Sequence, residues 1–425
     1  MTTVHDALET VENDEQIISA DIIMLPPNEN GNISEEDSDD ENNAGDANHL
    51  SSRQLTAPAE MLINYGDYVT HLNTPSEETV LKPPQLSFNW KEYNRGGYNS
   101  KVDGGKKEAK ISEFSPASIF ELFFDNEVID MIVTYTNLYA HQDKLYHDFS
   151  INAEEIRKFI CVLIISGYSI LPQTRLYWSS GIDVGNEAIS SLITCNRFEK
   201  ILSVLHLSDN SNLNSEDKFS KIRPFYSLLN EKCLNGFSES KNLSVDESML
   251  PYFGHHCSKQ RIANKPVRMG YKVWVLAESS GYVVQFEPYQ GARLRTCRSS
   301  AANFGLGESV VIDLISELPN SANYHIYMDN FFTSFRLLNH LFLNNIEATG
   351  VLRQNKLSNC PIIDPKQLMK KERGYSQQLF DETNNLTIVG WKDSKAVYVA
   401  SNCMETKSPQ STSRWSKADK KNEFL

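Results

Sequence analysis

Two acidic residues stand at the ends of short apolar runs. Asp246 lies within the alternating segment 244–249, and Asp329 ends the alternating segment 324–329. Alternation of this kind predicts a strand with a carboxylate at its tip, although each acid taken alone also fits a solvated loop. Two carboxylates on neighbouring rigid strands could share divalent metal ions, Mg²⁺ or Mn²⁺. The pair therefore predicts phosphoryl-transfer chemistry on a polynucleotide.

A basic segment lies between the two acids. Residues 259–272 contain five bases and no acid, namely Lys259, Arg261, Lys265, Arg268 and Lys272. Beside a metal pair these side chains would contact DNA phosphates, whose neutralisation supplies much of non-specific affinity. The alternative is a solvated hairpin edge. The nearby run 255–257, His-His-Cys, is not interpreted as a metal site, because adjacent residues rarely form one by themselves.

The charge of the chain is unevenly distributed. The net charge is −14, but fourteen of the 55 acidic residues lie in residues 1–50, which contain no Lys or Arg. The remaining 41 acids balance the 41 bases, so the acidic total does not argue against a nucleic-acid surface. Residues 1–60 predict a disordered acidic tail, with a docking arm for a basic protein partner as the alternative. Residues 61–113 are interpreted as a linker of little order.

Cysteine usage and hydropathy limit the cellular locations that the sequence is consistent with. Seven cysteines are scattered without a C-x-x-C pair, which is typical of reduced thiols in an intracellular protein. The longest apolar run, 159–165, is far too short to span a membrane, and the N-terminus lacks a signal sequence. We therefore expect an intracellular protein that does not contact a membrane.

Residues 114–240 carry helical periodicity. Ser115 with Pro116 predicts one helix start, followed by an apolar stripe that runs to Ala140, and Asn152 with Glu155 predicts a second. Third and fourth helical stretches follow at 189–205 and 217–233, the last one broken or kinked at Pro224. The apolar stripes are interpreted as core.

After residue 243 the period changes from that of helices to that of strands. The order predicted over 244–352 is three strands, a helix, a strand, a helix and a strand, which is an α/β arrangement. The first strand and the strand after the first helix can lie side by side. That pairing would bring Asp246 and Asp329 together.

Several further stretches carry a family likeness. They are 114–140, Gly167 with Trp178, 196–198, 205–210, 217–224, 246–249, 252–254, 265–272, 281–282, 289–291, 329–334, 348–350 with Arg353, and 391–393. In order and spacing, the chain resembles the piggyBac transposable element-derived proteins, domesticated relatives of piggyBac transposases. The likeness covers about 114–420.

The resemblance implies an α+β multidomain protein. It implies a helical dimerisation and DNA-binding domain at 114–240, an RNase H-like catalytic-type domain at 241–358 and a partial β-rich insertion at 359–425. Asp246 and Asp329 would then be the first two ligands of a three-aspartate, two-metal site that cleaves and joins DNA strands. The third aspartate of the family lies in a Gly-Gly-Val-Asp-like motif, and no such motif exists in this sequence.

The missing motif separates three functional hypotheses. We expect the chain, as a C-terminally truncated member, to bind transposon-end-like DNA without cutting it, because a two-aspartate site loses a ligand and part of its geometry. The alternatives are a fragment or isoform of an active transposase, and a protein-interaction module. One sheet face is expected to lack its covering helix. Homodimerisation and residence in the nucleus are expected from the inferred DNA role.

Overall fold

The structure is a computed structural model of the chain. It describes residues 86–92 and 114–404, apart from 182, 239, 255, 263–264, 292–303, 320–323 and 358–359; it also gives the backbone pairing of six short strands outside these ranges. The chain divides into two compact units. One consists of residues 108–238, and the other of residues 1–107 and 239–425.

The unit of residues 108–238 is helical. Its helices are α1 (Pro116–Phe123), α2 (Asn126–Gln142), α3 (Ala153–Tyr168), α4 (Glu187–Ser190), α5 (Cys195–Val204) and α6 (Arg223–Asn235). Their buried faces share one hydrophobic core, in which Ile129, Ile156 and Ile201 are fully buried. The apolar stripes predicted from the sequence therefore include the core of this unit.

Local capping sets the boundaries of these helices. Ser115 caps α1 with Pro116 in its first turn, and Asn152 forms a capping box with Glu155 at the start of α3, as the sequence predicts. Two differences between the observed helices and those predicted from the sequence have local causes. The first apolar stripe is divided because Asp125 caps a new helix, and Pro224 lies in the first turn of α6, where its missing N–H costs no hydrogen bond.

Where its strand pairing is described, the other unit contains three sheets, of four, ten and two strands. Four short strands, β1 (Ser19–Met24), β2 (Ala59–Asn64), β3 (Tyr68–Leu72) and β4 (Val80–Leu81), form an antiparallel sheet in that order. The predicted disorder of the acidic tail otherwise falls outside the described residues.

The larger sheet has ten strands and positions the acidic residues. Its members are β5 (Trp90–Lys91), β6 (Asn242–Pro251), β7 (Lys259–Arg261), β8 (Met269–Glu278), β9 (Val283–Pro288), β10 (His325–Met328), β11 (Glu347–Leu352), β12 (Ser376–Asp381), β13 (Leu386–Lys392) and β14 (Ala396–Ser401). The order is β5-β12-β13-β14-β11-β10-β6-β8-β7, with β9 paired to β8. A last hairpin pairs β15 (Ser413–Ser416) with β16 (Lys421–Phe424).

Three helices accompany the large sheet: α7 (Leu306–Ile315), α8 (Phe335–Leu343) and α9 (Pro365–Leu368). Strands β6 and β11 are parallel to β10 and flank it, so the predicted α/β order is observed. Ser334 caps α8, as expected from the sequence. On the sheet face opposite Ala348 and Ala400, Val351, Val389 and Val399 are half-buried, and the expectation that one face lacks its covering helix stays a prediction.

Two segments differ from the domain boundaries expected from the sequence. Strands β12–β14 extend the central sheet through the antiparallel pairing of β14 with β11, whereas 359–425 was expected to be a separate partial insertion. Pairing covers the edge that β11 would otherwise expose. Within the linker expected at 61–113, strand β5 pairs with β12.

Aromatic packing and a buried acid hold β5 in place. The Trp90 ring lies 5.3 Å from Phe335 and 5.5 Å from Phe88, between ring centroids. Asn89 N–H donates a 2.5 Å hydrogen bond to the fully buried carboxylate of Asp381. The segment 86–92 is therefore part of the sheet unit.

Of the helices in the described part of the chain, none combines the length and hydropathy that a bilayer crossing requires.

The packing of β5 predicts the effect of removing its aromatic anchor. We expect Trp90→Ala to lower the free energy of unfolding of the sheet unit by about 2 kcal/mol or more, because the ring packs against Phe335. Urea denaturation followed by far-UV circular dichroism measures this. The control is Lys91→Ala, which removes an exposed ion pair with Glu382 and costs less than about 1 kcal/mol. Equal stability of Trp90→Ala and wild type would show that the segment contributes nothing to the sheet.

Candidate metal centre and basic surface

The pairing of β6 with β10 brings the two predicted aspartates together. In the parallel register Val245 lies opposite Met328, so Asp246 and Asp329 stand at the same level. Asp329 follows the end of β10, whereas Asp246 lies in the middle of β6 and not at a strand tip as the sequence predicts. Oxygen atoms of Asp246, Glu247 and Asp329 lie within 4.8 Å of one another. The structure therefore assembles three carboxylates where the sequence analysis assigned two.

Local hydrogen bonds orient both aspartates. Asp246 Oδ1 accepts from Glu247 N–H at 2.8 Å, and Asp329 Oδ1 accepts from Phe331 N–H at 2.8 Å. The Asp329 carbonyl also accepts from the Thr333 hydroxyl at 2.7 Å. A Cβ on Gly350 would lie only 2.1 Å from that hydroxyl oxygen, so the turn that carries Asp329 requires glycine on the adjacent strand. Because one oxygen of each carboxylate is hydrogen-bonded locally, its second oxygen is held in a fixed direction.

Glu247 is the functional residue that the sequence reasoning left unassigned. It neighbours Asp246 in the chain, and strand alternation alone would send the two side chains to opposite faces. In the structure its carboxylate reaches the strand tip and forms a 2.9 Å ion pair with Lys265 Nζ. No sequence signal gives this geometry, because it depends on the approach of the 262–268 loop.

Burial and charge act in opposite directions on these acids. Burial raises the pKa of Asp246, and the negative charges of Glu247 and Asp329 raise it further, against the hydrogen bond from Glu247 N–H. Burial also raises the pKa of Glu247, but the hydrogen bond from Lys265 and the charges of Lys272 and Lys265 bring it below its usual range. Asp246 is thus the carboxylate whose ionised form is least favoured without a cation.

Lys272 is a second cation near the carboxylates, held by aromatic rings. Its ammonium lies 4.1 Å from the Trp274 ring centroid and 5.1 Å from that of Phe331, and the two rings are stacked. Burial lowers the pKa of Lys272, while the charges of Glu247, Asp329 and Asp246 raise it, with a net lowering. An ammonium that is desolvated against aromatic rings in this way is strongly attracted to them.

The five predicted DNA-binding bases are therefore divided by the fold. Arg261 and Arg268 are exposed at the turn end of the β7–β8 hairpin, where Ile262 N–H donates to the Arg268 carbonyl at 2.8 Å. Lys259 donates to the Gly254 carbonyl at 3.1 Å. Lys265 and Lys272 instead serve the carboxylates. Arg261 and Arg268 are thus exposed, whereas Lys265 and Lys272 reduce the negative charge of the carboxylates.

The donor set fits a hard divalent cation. Carboxylate oxygens are the ligands that Mg²⁺ and Mn²⁺ prefer, and three of them converge here on rigid strand ends. The Lys265 ammonium forms an ion pair with one of these ligands, Glu247. A metal ion that binds Glu247 would therefore compete with Lys265. The site combines potential metal ligands with neighbouring bases, as phosphoryl-transfer sites do.

The fold and this site define a class of protein, the RNase H-like transposases. The cryo-EM structure of a piggyBac transposase synaptic complex with hairpin DNA is similar to this chain, with a TM-score of 0.58 and 25% sequence identity. The similarity covers 73% of this chain and 64% of that chain, so this chain spans less than two thirds of that transposase. The RNase H-like fold expected from the sequence is confirmed.

Sequence comparisons identify the family. The Transposase IS4 family model matches residues 115–425. Human piggyBac transposable element-derived protein 3 is 34% identical over 94% of this chain and 70% of its own length, and human piggyBac transposable element-derived protein 2 is 34% identical over 94% of this chain and 68% of its own length. The chain belongs to the family of piggyBac transposable element-derived proteins. Membership of a transposase family implies a site that depends on a divalent metal.

The ion pair between Lys265 and Glu247 predicts the response of metal binding to mutation. Replacing Lys265 by Met should raise Mn²⁺ affinity several-fold, because a competing cation is removed. Asp329→Asn should lower it by about tenfold or more. Electron paramagnetic resonance of free Mn²⁺ measures both, with the exposed acid variant Asp364→Asn as the control. A lower affinity in Lys265→Met would contradict the competition.

The raised pKa of Asp246 predicts that the stability of the metal-free protein falls as the pH rises. The folded state binds this proton more tightly than the unfolded state does, so stability falls as pH rises through the folded pKa. We expect Asp246→Asn to have a higher melting temperature than wild type at neutral pH in the presence of a chelator. The difference should vanish at a pH below the pKa. Equal melting temperatures at neutral pH would show that the carboxylate is not destabilised.

Proposed function

We propose that this chain binds DNA through the surface formed by Arg261, Arg268 and the neighbouring strand tips, and that it does not cut the DNA. The observation that carries this proposal is the division of the basic segment: Lys265 pairs with Glu247 of the carboxylate cluster, whereas Arg261 and Arg268 of the same segment are exposed. Arginines of this kind bind phosphate oxygens with two parallel hydrogen bonds. The DNA in the related piggyBac transposase complex supports the same class of ligand.

An exposed aromatic side chain extends this surface. Phe253 is 88% exposed and lies in the connection between β6, which carries Asp246 and Glu247, and β7, which begins the basic hairpin. An aromatic ring in such a position can stack on an unpaired base or enter between base steps. Transposon-end-like DNA, with an accessible end, offers such bases. Phe253 would add affinity that does not depend on salt.

The loss of cleavage is proposed from the ligand set. Bound metal ions would activate the attacking oxygen and stabilise the leaving oxygen. In this chain Asp246 and Asp329 would hold Mg²⁺ or Mn²⁺, and Lys265 would keep Glu247 partly neutralised. A third ligand supplied by Glu247, the neighbour of Asp246, lies on the same strand β6 instead of a separate element. A displacement of about 1 Å at such a site can cost roughly 10²-fold in rate.

A second candidate function is DNA strand cleavage and transfer. It is favoured by the convergence of three carboxylates, since Glu247 could stand in for the third aspartate. In this candidate the site would attack phosphodiester bonds with an activated water or a DNA 3′-hydroxyl. The two candidates share the DNA surface and differ only in whether the bound strand is cut.

The remaining expectations concern partners and location. Homodimerisation is supported by apolar side chains exposed on α3, where Leu163, Ile164 and Tyr168 are at least 44% exposed. Nuclear residence follows from the DNA role. Binding of a basic protein partner by the acidic tail concerns residues outside the described ranges.

The division of the bases predicts how DNA affinity responds to salt. We expect the double variant Arg261→Gln/Arg268→Gln to bind a transposon-end-like duplex about tenfold more weakly at low salt, and to reduce the slope of log affinity against log salt by about 1 to 2, because two phosphate contacts are lost. Gel retardation measures both. The matched control is Lys366→Gln/Lys370→Gln, which removes two exposed lysines of the same unit. Equal losses in both variants would contradict a localised surface.

The same gel separates the two candidate functions. With Mg²⁺ or Mn²⁺ present, the proposed function gives a retarded, intact duplex for both the wild type and Asp246→Ala. Cleavage by the wild type that disappears in Asp246→Ala would establish the second candidate and overturn the loss of cleavage. Absence of a retarded band would overturn DNA binding.

A further inference from the structure

A second cluster of possible metal ligands lies at the opposite end of β10 from Asp329. His325, Glu347 and Cys403 offer ligand atoms that lie within 4.8 Å of one another, and all three side chains are buried, at 1%, 7% and 4% exposure. Asp329 lies four positions along the chain from His325, which corresponds to about 13 Å at the usual rise per residue of a strand. The cluster is therefore distinct from the three-carboxylate site.

The geometry of the cluster leaves space for an ion. His325 Nδ1 lies 3.7 Å from a Glu347 oxygen and 3.9 Å from Cys403 Sγ. The first distance is longer than an N–H···O hydrogen bond. Tetrahedral bonds of about 2.1 Å to nitrogen or oxygen and about 2.3 Å to sulfur would place the ligand atoms about 3.4 to 3.6 Å apart. The two distances measured from His325 Nδ1 are therefore within a few tenths of an ångström of those in a tetrahedral site, and the Glu347 oxygen and Cys403 Sγ lie within 4.8 Å of each other.

The surroundings orient the histidine for this role. His325 Nε2 lies 2.9 Å from the Thr349 hydroxyl, and the Tyr327 ring stacks on the imidazole at 4.3 Å between centroids. Glu347 lies 3.7 Å from Nδ1, and Cys403 Sγ lies 3.9 Å from Nδ1 and 3.7 Å from Nε2. Because Thr349 occupies Nε2, we assign Nδ1 as the coordinating nitrogen. Burial lowers the pKa of His325 to about 4, so the imidazole is neutral and its lone pair is available.

We propose that His325, Glu347 and Cys403 form a zinc site that joins the start of β10 to β11 and to the chain just beyond β14. The mixed sulfur, nitrogen and oxygen donors favour Zn²⁺ over Mg²⁺ or Mn²⁺, which prefer oxygen alone. A Zn²⁺ ion balances one carboxylate and one thiolate in a buried place. The fourth tetrahedral position takes a water molecule. The site links residues 78 positions apart in the chain.

Binding is accompanied by proton release. Burial raises the pKa of Cys403 to about 11, so the sulfur is protonated before the metal enters. Formation of the Zn–S bond breaks the S–H bond, and the proton leaves to solvent. No electron is transferred, and no co-reactant is needed.

Cobalt substitution tests the site on the full chain. A Co²⁺-loaded wild-type protein should show the intense near-ultraviolet absorption of thiolate-to-cobalt charge transfer. Cys403→Ser should lose it, whereas Cys257→Ser should retain it, because Cys257 is an exposed cysteine next to His256 and serves as the matched control. Asp246→Ala should also retain it. Retention of the absorption in Cys403→Ser, or its loss in Cys257→Ser, overturns the proposal.

The wild-type protein alone provides an independent measurement. After dialysis against a weak chelator we expect about one zinc per chain by elemental analysis, and X-ray absorption at the zinc edge should show one sulfur with nitrogen and oxygen ligands. This measurement decides the matter if Cys403→Ser does not fold. Protein without zinc after incubation with excess Zn²⁺, or zinc with only nitrogen and oxygen ligands, overturns the proposal.

Discussion

The parallel pairing of β6 with β10 is the constraint on which the rest of the candidate site depends. It places Asp246 and Asp329 side by side, and Glu247 turns toward them, so three carboxylates lie within 4.8 Å. Like charges at such distances repel strongly in a partly buried setting. The fold offsets this repulsion with backbone N–H donors to both aspartates and with two lysine cations. The sheet therefore holds the three carboxylates closer together than their mutual repulsion favours.

The cations that offset this repulsion come from the same segment that presents the exposed arginines. Lys265 forms an ion pair with Glu247, and Lys272 lies against Trp274 and Phe331, while Arg261 and Arg268 are exposed. One basic hairpin thus supplies both the lysines that reduce the charge of the carboxylates and the arginines of the proposed DNA surface. In that proposal, a metal ion at the carboxylates would compete with Lys265 for Glu247 and so link metal binding to this hairpin.

Strand β10 carries chemically different donors at its two ends. Its C-terminal end leads into a half-exposed set of carboxylates suited to a hard cation, whereas its N-terminal end contributes His325 to a buried cluster with Glu347 and Cys403. Burial decides the difference. Imidazole and thiol are neutral when buried, and they favour a borderline metal ion. One short strand thus fixes the positions of both clusters.

The sequence by itself determined the elements and the pair of aspartates. Strand alternation around Asp246 and Asp329 and the caps at Ser115 and Asn152 are local signals, because they depend on side chains within a few residues of each other. Tertiary structure alone decided that Glu247 joins the aspartates and that β5 belongs to the sheet. It also decided that Lys265 and Lys272 turn inward and that Cys403 meets His325. These contacts join segments far apart in the chain, and their formation depends on strand order and burial, which no local pattern encodes.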